Sequence, residues 1–270
     1  MTQRPALIAT DLDGTLLRSD GSLSDASRRV LAAVEEAGVP VVLVTGRPLR
    51  WMESLWDVVG AHGLAIVSNG AILYDVASRA VRRVDGLAPQ PGLALVERLR
   101  GVVPDAAFAV ECLDGIRSEP GFLDPHRVPE GSPVAPLVEL WDEPAVKLLV
   151  RHSGADADEV HATMAAAVGE DGVATWSMAG LVEISAPGVT KAAALARLCA
   201  DLAIAPADVV AFGDMPNDLA MLDWAGTSYA VAGAHPAVLA AADHHAEGND
   251  DDGVARAMAR LVGLTDDLVQ

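Results

Sequence analysis

Two aspartates separated by a single residue, in Asp11-Leu12-Asp13-Gly14-Thr15, come one position after the short apolar run Ala6-Leu7-Ile8-Ala9. A run of that length reads as a buried strand, so the carboxylates arrive at its carboxyl end. In an open α/β sheet that is the end at which ligands bind. If the chain stays extended, Leu12 turns away and Asp11 and Asp13 face one side. Two acids held so close do not both ionise cheaply without a cation or a proton between them. The arrangement suits a magnesium-assisted carboxylate nucleophile with an acid beside it. A strand followed by an acidic turn is the plainer reading, since Asp, Gly and Thr are ordinary turn formers.

Three further segments carry chemistry. Thr45-Gly46-Arg47 ends a second apolar stretch, residues 39–44. Its hydroxyl and backbone amides can receive phosphoryl oxygens, and Gly46 permits close approach; Arg47 either adds charge or caps the sheet edge. Lys191 opens a helix after Gly188-Val189-Thr190, where a cation opposes the macrodipole and calls for a nearby anion. Of nineteen basic residues only Lys147 and Lys191 are lysines, and in so Arg-rich a chain a compact ammonium marks a position to examine. Lys147 lies within an apolar strand pattern, as an edge residue or a substrate contact. The strongest segment is Gly213-Asp214-Met215-Pro216-Asn217-Asp218. A strand over residues 209–212 delivers Asp214 to the edge that carries Asp11, and Asn217 and Asp218 fall in the first turn of the next helix. An Asp cap followed by Pro216 would be helix-start chemistry by itself. Capping needs one acid, however, and three oxygen-bearing side chains at one edge suit magnesium. Asn249-Asp250-Asp251-Asp252-Gly253 has a calcium loop's composition but not its ligand positions, and reads as a solvated turn before the last helix. The histidines show no zinc spacing.

The elements that must position these groups alternate between strand and helix. Strands are expected at 6–10, 39–44, 64–67, 209–212 and 229–231, and helices at 25–37, 49–58, 190–202, 216–225, 235–242 and 252–262. Residues 71–74 and 80–84 form a hairpin after the turn Ser68-Asn69-Gly70. This alternation implies a parallel sheet with helices on its faces. Near residue 86 the pattern changes. Pro89, Pro91 and Gly92 suggest a hinge before a helix at 93–100, then strands at 107–112, 145–150 and 181–184 with a helix at 156–168. The fold class is therefore α/β: a doubly wound parallel sheet core, residues 1–85 and 187–270, with an inserted α+β domain, residues 86–186. Within the insert Glu111, Asp114, Arg117, His126 and Trp141 are polar candidates for reading a substrate.

Hydrophobic residues make up 51% of the 270 and aromatics 4%, so the core rests on Ala, Val and Leu. No run approaches the ~20 apolar residues that span a bilayer, and no signal peptide is evident. Cys112 and Cys199 lie too far apart in sequence for a metal motif and read as core thiols of a reducing compartment. A cytoplasmic protein is expected, as a monomer or homodimer. The formal charge of -19 argues against nucleic-acid and membrane partners. It does not argue against a phosphate substrate, because a metal and a few placed cations reverse the local sign.

Taken together and in this order, the segments resemble the haloacid-dehalogenase-like hydrolases, and most of all the Cof-type phosphatases with a subclass IIB cap inserted after the core hairpin. Asp11-Leu12-Asp13-Gly14-Thr15 matches the first family motif, Thr45-Gly46-Arg47 the second, Lys191 the third and Gly213 to Asp218 the fourth. Ser68-Asn69-Gly70-Ala71 is similar to a segment this subgroup carries beside its active site, whereas Ala234-His235 departs from a common Asn-Ala pair. The resemblance implies a Rossmann-like core and a Mg2+-dependent phosphatase acting on a small phosphate ester, a sugar phosphate or phosphorylated cofactor. It implies Asp11 as nucleophile, Asp13 as acid and base, and Thr45 and Lys191 as phosphoryl-holding catalytic groups. Gly46, Arg47, Asn69 and Asn217 would assist substrate binding. The metal would be held by Asp11, Asp13 through its backbone carbonyl, Asp214 and Asp218. A phosphosugar mutase is the alternative among enzymes, and a phospho-accepting signalling domain the alternative outside them.

Overall fold

The computed structural model describes residues 4–60, 62–124, 128–153, 157–178 and 180–264. The first apolar run forms strand β1 (Leu7–Thr10), all four residues buried. Helix α1 (Asp25–Glu36) starts at Ser24, whose hydroxyl accepts the Ser27 N–H, and ends at Gly38 in the left-handed region. Strands β2 (Val41–Val44), β3 (Leu64–Val67), β4 (Ile72–Asp75) and β5 (Ala80–Val84) follow. The second part of the core brings α5 (Lys191–Asp201), β11 (Val209–Gly213), α6 (Leu219–Trp224), β12 (Thr227–Val231), α7 (Pro236–Ala241), β13 (His244–Ala246) and α8 (Gly253–Val262). The eight strands form one sheet in the order β13-β12-β11-β1-β2-β3-β4-β5. It is parallel from β13 to β3 and closes with the antiparallel hairpin. A four-residue strand buried along its whole length is what a parallel sheet covered on both faces demands. This is the expected α/β core.

Between the two halves lie α2 (Pro89–Val102), β6 (Ala107–Cys112), β7 (Gly115–Ser118), the single turn α3 (Leu137–Leu140), β8 (Lys147–Arg151), α4 (Ala157–Val168), β9 (Val173–Met178) and β10 (Leu181–Ser185). These strands make a second, antiparallel sheet, β7-β6-β8-β10-β9. Phe108, Val110, Leu148, Val150, Val182 and Ile184 alternate along it and join the main apolar core. No helix among the described residues is long and apolar enough to cross a membrane.

Several local expectations are corrected. Residues 49–58 form two 3-10 turns, Leu49–Trp51 and Glu53–Val58, rather than an α-helix. Met52 and Leu55 are both buried, and their three-residue spacing suits the 3-10 repeat. Pro89, Pro91 and Gly92 do not form a hinge. They lie in the first turn of α2, where proline loses no hydrogen bond, and a Cβ on Gly92 would lie 2.0 Å from the Trp141 ring. Strands β7, β9 and β13 were not expected. The acidic turn before α8 is tied to the core rather than solvated alone: Asp252 accepts from Arg18 and Ser27, and Asp250 from Ser19. His126 and Asp156 lie outside the described residues.

Candidate active site

Strands β11, β1, β2 and β3 are neighbours and parallel, so the loops after them meet at one edge of the sheet. Those loops begin with Asp214, Asp11, Thr45 and Ser68. Lys191, the first residue of α5, reaches under this edge. Its Nζ donates to Asp11 Oδ1 at 2.6 Å and to Asp218 Oδ1 at 2.7 Å, with all three residues buried. The other Asp218 oxygen accepts the backbone N–H groups of Asp214 and Met215, each at 3.1 Å. Thr15 donates its hydroxyl to Asp214 Oδ1 at 2.7 Å. Carboxylate oxygens of Asp11, Asp214 and Asp218 lie within 4.8 Å of one another. Gly14 is required here: it adopts φ +76°, and a Cβ would stand 2.4 Å from Asp214 Oδ2.

Burial pushes the Asp11 carboxyl well above the usual carboxylate range; the Lys191 ammonium opposes this, and the Asp218 and Asp214 charges add to it. Burial, then the Asp218 charge, raises Asp214 to about 6, with the Thr15 hydrogen bond opposing. Burial would lower Lys191, but Asp11 and Asp218 outweigh it and leave the ammonium above its ordinary value. With all three carboxyls ionised, one ammonium leaves two surplus negative charges, which is the cost that burial and mutual repulsion register at Asp11 and Asp214. A hard divalent cation, which prefers carboxylate oxygens, fits this donor set.

Asp11 and Asp13 do not share a counter-ion. The Asp13 side chain is 57% exposed and takes a two-pronged ion pair from Arg47, at 2.7 and 2.5 Å. Thr45 is buried, and its hydroxyl accepts the Arg47 N–H at 3.0 Å. Asn69 follows Ser68 in a left-handed pair, φ +54° and +57°, pinned by Ser68 N–H to Arg47 O at 2.9 Å and Asn69 N–H to Thr45 O at 3.0 Å. Consecutive non-glycine residues in that region store strain that surrounding contacts must hold.

A cavity of about 380 Å³ opens over the edge. Asp11, Asp13, Gly14, Gly46, Arg47, Asp214 and Asn217 line it, and of the other residues named in the sequence, Thr45, Asn69, Lys191 and Asp218 lie behind that lining. Trp51, Met215 and Glu183 complete the wall, and none of them was expected. Glu183 could have been noticed as an acid inside an apolar strand. Lys147 proves to be its partner at 2.8 Å, and also donates to Gly46 O at 2.5 Å. Of the insert's polar candidates, the described ones, Glu111, Asp114, Arg117 and Trp141, do not line the cavity. Glu111 is held by Arg50 at 2.7 and 3.0 Å. Arg117 pairs with Asp114, Asp142 and Glu143, and Trp141 is buried against α2.

The family model for haloacid dehalogenase-like hydrolases matches residues 8–258. Pyridoxal phosphate phosphatase YbhA of Escherichia coli is 31% identical, over 95% of this chain and 97% of its own. A phosphoglycolate phosphatase of Methanothermobacter thermautotrophicus is 29% identical, over 95% and 98%. A haloacid dehalogenase-like hydrolase from B. subtilis superposes with a TM-score of 0.81 at 25% identity, covering 95% of this chain and 99% of its own. The four segments at the sheet edge thus have the company their resemblance implied, and the chain belongs to the haloacid dehalogenase-like hydrolases, within them to the Cof-type phosphatases.

Proposed function

We propose that the protein hydrolyses a small soluble phosphomonoester through a phosphorylated Asp11, with Mg2+ as its metal. The observation that carries this reading is Asp11 itself: a buried carboxylate in the cavity lining, paired with Lys191 at 2.6 Å and grouped with Asp214 and Asp218. Asp11, Asp214 and Asp218 would hold the ion, with the Asp13 carbonyl as the resemblance implies. When bound it supplies the positive charge that draws in phosphoryl oxygens. An Asp11 oxygen attacks phosphorus, and the ester oxygen leaves with a proton from Asp13, which must enter this step protonated and released from Arg47. Water then attacks the phosphorus of the acyl phosphate, Asp13 takes its proton, and Asp11 is regenerated with release of phosphate. Lys191 and the Thr45 hydroxyl, whose proton is left free to donate, stabilise charge on the transferring group. Gly46, Arg47, Asn69 and Asn217 complete the binding loops.

The cavity is near the lower end of the ~300–1,000 Å³ range of ligand pockets, which supports a sugar phosphate or a phosphorylated cofactor. The two similar phosphatases are likewise named for small phosphate esters. Residues 86–186 would serve as a cap over the 1–85 and 187–270 core, a reading supported by Glu183 in the cavity wall. The charge of -19 supports action without nucleic acid or membrane, and the two buried free thiols support a cytoplasmic setting.

The test is turnover of p-nitrophenyl phosphate and a panel of phosphorylated metabolites with magnesium present. Wild type should release phosphate and lose activity on chelation, while Asp11→Asn should stay folded and inactive. Near-normal turnover by Asp11→Asn, or by exhaustively chelated enzyme, would overturn the reading.

A further inference from the structure

Glu183 joins the cavity wall from the second sheet, and its two oxygens are committed to different partners. Lys147 Nζ donates to Oε1 at 2.8 Å, and Asn69 Nδ2 donates to Oε2 at 3.0 Å. Asn69 Oδ1 in turn accepts from Asn217 Nδ2 at 3.2 Å. All four side chains are buried. At the far end, Asn217 Oδ1 is buried and has no hydrogen-bond partner among the described residues.

The direction of this chain follows from chemistry. A carboxylate only accepts, so Asn69 must turn its NH2 toward Glu183. Its carbonyl then faces Asn217, which must answer with its own NH2. Asn217 is left with a carbonyl oxygen for the site it lines, beside Asp214. A buried acceptor without a donor is costly, and a substrate hydroxyl or a water in the occupied site would satisfy it.

We propose that Glu183, anchored by Lys147, is a positioning residue that sets the polarity of an amide relay through Asn69, so that Asn217 presents a hydrogen-bond acceptor to the active site. This rests on the phosphatase reading for its consequence in turnover, but the relay can be tested without turnover.

Glu183→Gln inverts the relay. Lys147 has only protons to offer and takes the glutamine carbonyl, which turns the new NH2 toward Asn69. Both asparagines must flip, and Asn217 then shows the site a donor. Asn217→Asp alone sets a carboxylate against the Asn69 carbonyl. The double variant reconciles them: the introduced glutamine donates to Asn69, Asn69 donates to the introduced aspartate, and an acceptor again faces the site.

With p-nitrophenyl phosphate and magnesium, each single variant should lose roughly 10- to 100-fold in kcat, the range seen when supporting partners of a site are removed. KM should change much less, and the double variant should recover at least about tenfold over either single one. In parallel, thermal unfolding of the chelated proteins should show Asn217→Asp melting below wild type and Glu183→Gln raising that midpoint again. A double variant that is the slowest and least stable of the set would overturn the relay. If wild type itself turns over no phosphate ester, the phosphatase reading fails, and the order of the melting midpoints still decides the relay.

Discussion

Replacing Lys191 by Met tests whether one ammonium holds the site together. Its nitrogen lies 2.6 Å from Asp11 and 2.7 Å from Asp218, so each contact is both an ion pair and a charge-assisted hydrogen bond. At an effective dielectric near 20, unit charges about 4 Å apart attract by about 4 kcal/mol. Most of that attraction offsets the desolvation of the three groups, so the intact cluster adds little net stability. Removing one member is different, because the carboxylates stay buried without their counter-charge, at a cost of about 3–5 kcal/mol. Methionine keeps the unbranched stem, so the loss is electrostatic rather than a cavity. In a chain of this size about 1 kcal/mol moves the melting midpoint by 2–4 °C, and Lys191→Met should melt roughly 10 °C below wild type in chelator. Magnesium should restore part of the difference, since a cation among Asp11, Asp214 and Asp218 stabilises only the folded state. Scanning calorimetry with and without magnesium reads both effects. A midpoint within about 2 °C of wild type in chelator would refute the argument that Lys191 supplies the cluster's counter-charge.

Gly14→Ala should cost turnover at least about tenfold, because it adds a Cβ 2.4 Å from Asp214 Oδ2 to the strain of a left-handed residue. Gly21→Ala is the control: it shares the positive φ, +80°, but nothing lies within 4 Å of its Cβ. Equal loss of activity in the two variants would show that the contact with Asp214 is irrelevant. At the hairpin edge, the Ser78 backbone N–H and then Arg82 hold the Asp75 carboxyl at about 2, below its ordinary value of 3.8. The folded state therefore favours the ionised form, and the stability it adds is present above the ordinary value and lost as pH falls through about 2. Urea titrations should show Asp75→Asn less stable than wild type near neutrality, with the gap narrowing below about pH 4. A gap that widens on acidification would contradict that sign.

The core was legible because its signals are local and redundant. The parallel strands β1, β2, β3 and β11 are each a short apolar run closed by a chemically marked loop, and Ser24, Thr190 and Gly38 announce helix ends by side chain or by φ. Misreadings arose where one residue type serves two structures. Pro89 and Pro91 break a helix interior but suit its first turn, and residues 49–58 have helical periodicity over too few residues to separate a 3-10 from an α repeat. Strand β13 carries His244 and His245, both exposed, and so lacks the apolar run that betrays a buried strand.

The site divides along the same line. Asp11, Thr45, Lys191 and Asp214 were readable because each stands at the end or start of an element whose direction the core alternation fixes. Lys147 opens one antiparallel strand and Glu183 sits at the centre of another, where facing depends on register, and register depends on pairing across the second sheet. There Lys147 lies opposite Glu111, while Glu183 lies opposite Leu149, which sets all three charged side chains on one face. Each then binds a core residue: Glu111 to Arg50, Lys147 to Gly46 and Glu183 to Asn69. A charge inside an apolar strand announces that a partner exists, since burying it alone is prohibitive. It does not say which partner, because these contacts join residues from 61 to 114 positions apart. A sheet that faces a catalytic edge with charges already paired has given up apolar burial for direction, and the Asn69–Asn217 relay is where that direction reaches the cavity.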